Sequence, residues 1–120
     1  MYKYSQSTGT LTQDGKFIAT GYSGFQDGKN NPALQNVPNV GPIPQGLYRI
    51  GSARDTATHG PVVMPLTPEE GTETFGRSGF LIHGDSLLHP GGASHGCIIL
   101  RRDIRETIAA SGDTQLTVTA

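Results

Sequence analysis

The sequence has no tryptophan, a single cysteine and no long apolar run. One cysteine excludes an internal disulfide and leaves cysteine usage silent on redox compartment. No apolar stretch approaches the roughly 20 residues that a membrane-spanning helix needs, so no membrane span is expected. Residues 1–10, MYKYSQSTGT, lack the apolar core of a secretory signal. Charged residues make up only 16% of the chain and balance to a formal net charge of −1, with no basic run. Nucleic-acid binding needs clustered Lys and Arg to displace counterions, so it has no support.

What is there is glycine and proline, 17 and 8 of 120 residues. That is about a fifth of the chain, against a usual share of roughly an eighth. Such a chain turns often, which favours short strands over long helices. The length suits one domain with one modest core. The expectation is a single domain over residues 1–120, mostly β, with one short helix in its C-terminal half.

Several elements can be read directly. TLTQDGKFIAT, residues 10–20, places β-type residues around Asp14-Gly15, a pair that suits the positive φ values of a two-residue hairpin turn. Residues 21–46 are rich in Gly, Asn and Pro and read as a long ordered loop, where sites tend to be built. LYRIGSA (47–53), PVVMPL (61–66), SGFLIHG (78–84), CIIL (97–100) and TQLTVTA (114–120) read as strands. Asp103 with Glu106 three residues later forms a capping-box pattern. Ile104 and Ile108 then share a helix face, and Gly112 supplies the stop.

The chemistry gathers in HGDSLLHPGGASHGC, residues 83–97, which holds three of the four histidines and the only cysteine. A free thiol is mostly protonated at neutral pH, and a neighbouring imidazole can activate it. His83, at the end of an apolar strand, suits a general base. His95 lies two residues before Cys97, on its side if the segment is extended. The glycines around them, Gly96 included, allow close approach to a substrate backbone, and the Cys97 N–H is a candidate oxyanion donor. Three other roles stay open for parts of this segment. Cys97 can be a buried inert residue. His83, His89, His95 and Cys97 can be zinc ligands, although their spacings of six, six and two match no common zinc motif. Arg101 and Arg102 are either a solvated pair or a bidentate anchor for a substrate carboxylate. His59 and His89 read as turn and loop residues.

The run FLIHG…SHGCIILR resembles the signature of L,D-transpeptidases of the YkuD type. The upstream GPIPQGLYRI, residues 41–50, is similar to that family's strand entry, and LTQDGKFIATGYSG to its opening strand pair. His83 and Cys97 are only 14 positions apart, a shorter interval than is usual there. With GYSG, NNPALQN and GPIP, this is similar to the compact type VI secretion L,D-transpeptidase-like effectors. The resemblance implies a small β-sandwich or barrel of the L,D-transpeptidase catalytic type. It implies Cys97 as nucleophile, His83 as general base and His95 in support. Ser94 and Gly96 would shape substrate binding, with Arg101 contacting substrate and Arg102 as its understudy. No cofactor and no metal are implied.

The implied substrate is a peptidoglycan stem peptide. Cleavage would fall before the terminal D-Ala of a tetrapeptide (L,D-carboxypeptidase), or that residue would be exchanged for another D-amino acid. An immunity protein would be the partner. The protein would be made in the cytoplasm without a Sec signal and delivered to the periplasm of a target bacterium as an antibacterial effector. Two alternatives stand beside this reading: a different cell-wall cut, by an endopeptidase or amidase, and a non-catalytic wall-binding module.

Overall fold

The computed structural model describes residues 1–120. β2 (Thr10–Gln13) and β3 (Lys16–Thr20) form the hairpin expected around Asp14-Gly15, whose φ values of 49° and 83° suit that tight turn. β1 (Tyr2–Ser5) lies antiparallel to β2 and parallel to β10 (Gln115–Thr119). This joins the two ends of the described chain in one sheet.

β5 (Gly46–Ile50) runs antiparallel to β10 and to the long β7 (Gly60–Pro68). β6 (Arg54–Thr56) folds back on β7 as a side branch. Beyond β7 come β8 (Leu81–His83), β9 (Ile98–Ile99) and β4 (Tyr22–Ser23). The pairing path is therefore β3-β2-β1-β10-β5-β7-β8-β9-β4. Its two end strands, β3 and β4, are separated in the chain only by Gly21, so the sheet curls back on itself into a nearly closed barrel. The Gly21 N–H donates to the Gly9 carbonyl at 2.8 Å, and a side chain at this corner would run into the Ile99 carbonyl.

The core follows from strand alternation. Tyr2, Tyr4, Leu11, Tyr48, Met64 and Ile82 are among the residues that point inward and are almost wholly buried. Helix α1 (Arg102–Ser111) closes the barrel with Ile104 and Ile108. Gly112 ends it in the left-handed conformation, φ 72°, as the sequence suggests.

The start of α1 differs from expectation. Arg101, not Asp103, is the N-cap, and no side chain caps the helix. The Leu100 N–H is still engaged by the His83 carbonyl, at 3.1 Å. The chain then turns at once, and the first helical bond runs from the Arg105 N–H to the Arg101 carbonyl. Asp103 and Glu106 accept from Arg101 and Arg102 instead.

The long loop between β4 and β5 is ordered by two short 3-10 turns, Gln26–Gly28 and Pro32–Leu34. Asn31 Oδ1 accepts from the Ala33 N–H at 3.1 Å and starts the second. This loop arrives beside the cysteine.

Candidate active site

β8 ends at His83, and β9 begins immediately after Cys97. The two strands are parallel, with Ile82 opposite Ile98 and His83 opposite Ile99. Ile82 and Ile98 point into the core. By alternation, His83 projects from the other face, while Cys97 sits in the bend just before β9. Cys97 therefore lies beside Leu81, two residues along the neighbouring strand from His83. Strand spacing and rise put their backbones about 8 Å apart on that diagonal. The 14-residue interval brings the pair to the ends of two adjacent strands.

His83 is buried, and its Nδ1 lies 2.8 Å from the Gly84 carbonyl. That contact places the ring proton on Nδ1 and leaves the Nε2 lone pair free. Burial holds its pKa below the ordinary histidine value, with His59 and Arg105 adding to this and the Gly84 carbonyl opposing it. The His59 ring stands 4.7 Å away, centroid to centroid. His83 is thus a neutral imidazole near pH 7. The Cys97 thiol is half-buried, and burial pushes its pKa up, against the pull of the Leu81 N–H and the Arg77 guanidinium. Such a thiol needs a base to become a nucleophile.

The two side chains open into different spaces, and no hydrogen bond joins them. Cys97 lines a cavity of about 330 Å³ with Asn39, Arg77, Ser78, Phe80 and His95. His83 lines a wider cleft of about 590 Å³ with His59, Asp85, His89 and Arg105. His95 shares the space of Cys97. Its Nδ1 lies 3.1 Å from the Asn39 carbonyl, and its ring packs 4.8 Å from Phe25.

Ser94 is fully buried and lines neither cavity. Its hydroxyl donates to the Cys97 carbonyl at 2.6 Å and accepts from the Gly24 and Gly96 N–H groups. It holds the turn that presents the cysteine rather than contacting a ligand. Gly96 adopts φ 131°, and a Cβ there would lie 2.5 Å from Arg77 Nη2. The glycine of Ser-His-Gly-Cys is required by the arginine beneath it.

Arg101 and Arg102 are not brought to the site. Both are exposed at the start of α1, pairing with Asp103 and Glu106, and neither lines the cavity of Cys97 or the cleft of His83. Two arginines that the sequence reading passed over take those places. Arg77, 8% exposed, lies beside Cys97 and donates to the carbonyls of Gln35, Gly41, Pro42 and His95. Arg105, 6% exposed, donates to the carbonyls of Leu100, Pro61 and Val62 next to His83. Arg105 carried a signal: it stands three residues before Ile108, at the edge of the apolar face. Arg77, inside the turn sequence GRSG, carried none. No three His, Cys, Asp or Glu side chains converge as a metal site requires.

The fold and the site can be compared with known proteins. The chain superposes on the catalytic domain of an L,D-transpeptidase from E. faecium with a TM-score of 0.54 at 18% identity, covering 98% of this chain and 94% of that one. An L,D-transpeptidase from Mycobacterium smegmatis gives 0.50 at 19% identity, over 99% of this chain and 58% of that one. At these identities the likeness is one of fold. Comparison with curated proteins finds no match. A family described as "Tlde1 domain" matches residues 18–119, which contain every site residue named above. This nearly closed barrel, with its histidine at the end of one strand and its cysteine just before the parallel neighbour, belongs to the Tlde1 domain family.

Proposed function

We propose that the protein is a cysteine acyl-transfer enzyme acting on peptidoglycan stem peptides. The observation that carries this reading is the position of Cys97 immediately before β9, beside the parallel strand β8 that ends at His83, in a domain of L,D-transpeptidase fold. His83 Nε2 takes the thiol proton as Sγ attacks the carbonyl preceding the terminal D-Ala of a tetrapeptide. The C–N bond breaks, the proton passes to the leaving amine, and a thioester remains on Cys97. Water, or the amine of another D-amino acid, then attacks the thioester. The sulfur leaves and recovers its proton. Hydrolysis makes the enzyme an L,D-carboxypeptidase; aminolysis makes it an exchange catalyst.

No hydrogen bond joins His83 to Cys97 in the free protein, and catalytic hydrogen bonds commonly tighten only when substrate is bound. A second reading has its own observation. His95 already shares the cavity of Cys97, and its Nδ1 is held by a carbonyl, so its Nε2 is equally free. The variants His83→Ala and His95→Ala separate the two. The base is the residue whose loss removes acylation, while the other lowers it only in part.

In the same proposal the enzyme is an antibacterial effector, delivered to the periplasm of a target cell and neutralised in the producer by an immunity protein. The test of the reaction is incubation with tetrapeptide muropeptides and weighing of the products. Loss of the D-Ala mass, or its replacement by that of an added D-amino acid, with the wild type and not with Cys97→Ala, supports it. Loss of a different mass identifies an endopeptidase or amidase. Binding to sacculi without any product identifies a wall-binding module.

A further inference from the structure

We propose that Arg77 is a specificity-determining residue that recognises a free carboxylate one residue beyond the attacked carbonyl, restricting the enzyme to the last peptide bond of its substrate. The inference rests on the reading of Cys97 as nucleophile.

Arg77 as a residue is only 8% exposed, yet no carboxylate lies within 4 Å of its guanidinium. Its four Nη hydrogens are taken by the carbonyls of Gln35, Pro42, Gly41 and His95. Those dipoles fix the plane of the group and satisfy its donors, but they leave its full positive charge in place. The Nε–H is engaged by no acceptor. A buried cation without a counter-ion is costly unless an anion completes the site.

Arg77 and Cys97 line the same cavity, and the Arg77 charge is felt at the thiol. No Asp or Glu lines that cavity. In a peptide whose penultimate carbonyl is attacked, the terminal carboxylate belongs to the very next residue, with Cα atoms about 3.8 Å apart. A cation in the same cavity as the nucleophile therefore suits a chain end and not a continuing chain, which would present a neutral amide there. Arg105 does not offer the same site. Its cleft also holds Asp85, which would repel a carboxylate.

The carbonyls that hold Arg77 come from the 35–42 loop and from His95, the residue before Gly96. The motif that presents the cysteine and the guanidinium are thus one unit. Fixing the recognition group against the nucleophile is what lets binding of a chain end orient the scissile carbonyl.

The test separates this claim from the reaction itself by measuring binding to Cys97→Ala protein, which cannot turn over. The probes are a tetrapeptide ending in free D-Ala and the same peptide ending in D-alaninamide. Titration calorimetry is expected to show the carboxylate binding about tenfold or more tightly, in line with a charge-assisted contact. In Cys97→Ala/Arg77→Gln that ratio should fall to about one through loss of carboxylate affinity alone. Cys97→Ala/Arg77→Lys, which keeps the charge, should retain part of it. Equal binding of the two peptides to Cys97→Ala overturns the proposal without any Arg77 variant, so misfolding of Arg77→Gln cannot shield it. Equal weakening of both peptides by Arg77→Gln also overturns it, as that is the signature of a structural arginine. Failure of the wild type to turn over muropeptides would instead sink the acyl-transfer reading.

Discussion

Tyr22 Oη donates to Asp85 Oδ1 at 2.6 Å and accepts from the Ala93 N–H at 2.9 Å. One hydroxyl on β4 thereby ties down both arms of the loop between His83 and Cys97. Asp85 reinforces the tie by accepting from the Ser86 and Gly91 N–H groups, and Lys29 Nζ sits 4.4 Å above the Tyr22 ring. Burial and the Asp85 carboxylate push the Tyr22 hydroxyl up to about 12. Burial works to raise the Asp85 pKa, but its hydrogen bonds from Tyr22, Gly91 and Ser86 outweigh this and hold it below the usual carboxylate value.

This tie predicts the behaviour of Tyr22→Phe. Removing the hydroxyl leaves Asp85 and the Ala93 N–H each without one partner, at a cost to stability of about 1 kcal/mol. The folded core does not depend on the bond, so the larger effect should be on amide exchange. Residues 84–96 are expected to exchange faster in the variant while the core strands do not. Because the Asp85 pKa is depressed on folding, its contribution is present above the unfolded carboxylate pKa of about 3.9 and is lost as pH falls through the folded value. Wild-type loop protection should therefore fall in acid, while protection in an Asp85→Asn variant should show no such step.

The pH dependence of the reaction follows from the two groups at its centre. His83 is held below the ordinary histidine range by burial, so it remains an unprotonated base to more acid pH than an exposed histidine. The acid limb of kcat/KM should have an apparent pKa below about 6.5. The Cys97 thiol is pushed up by burial, so in the absence of a base its alkylation by iodoacetamide should accelerate only toward alkaline pH. Arg77 opposes that rise, and Arg77→Gln should move the alkylation profile further upward. An acid limb above 6.5 would mean that His83 is not the group being titrated.

Gly96→Ala combines two penalties. The φ of 131° is a conformation that only glycine adopts easily, and the added Cβ would stand 2.5 Å from Arg77 Nη2. A strained backbone of this kind costs about 1–3 kcal/mol, and the displaced guanidinium adds disorder at the cysteine. Thermal melting should show that loss, and acyl transfer should fall by about a hundredfold or more, as expected when a nucleophile is misplaced by an ångström.

Tyr4→Phe is expected to move stability the other way. Tyr4 is fully buried, and its hydroxyl has no hydrogen-bond partner. Removing an unsatisfied buried hydroxyl relieves a desolvation cost of about 1–3 kcal/mol. Chemical denaturation should show a higher midpoint with an unchanged slope.

The sequence was legible where local chemistry decides structure. Asp14-Gly15 marks a turn that few other pairs make, and Ile104 with Ile108 marks the buried face of α1. The clustering of His83, His95 and Cys97 was visible because all three lie within 15 residues. What could not be read depends on distant partners. β1 forms because β10, more than a hundred residues on, offers it a parallel edge. Arg101 and Arg102 look available because they follow the cysteine strand, yet the turn into α1 points them at their own helix's carboxylates. Arg77 becomes a site residue only because the 35–42 loop folds over it and supplies its carbonyls.

The most direct test of the central claim, that Cys97 carries the acyl group, is the mass of the protein itself. Wild-type protein mixed with a tetrapeptide muropeptide and quenched rapidly in acid should carry an adduct equal to the substrate less D-Ala. Peptide mapping should place it on Cys97, and His83→Ala should form it far more slowly. Release of D-Ala while Cys97 stays unmodified at every time point, or release at the wild-type rate by Cys97→Ala, would contradict the account.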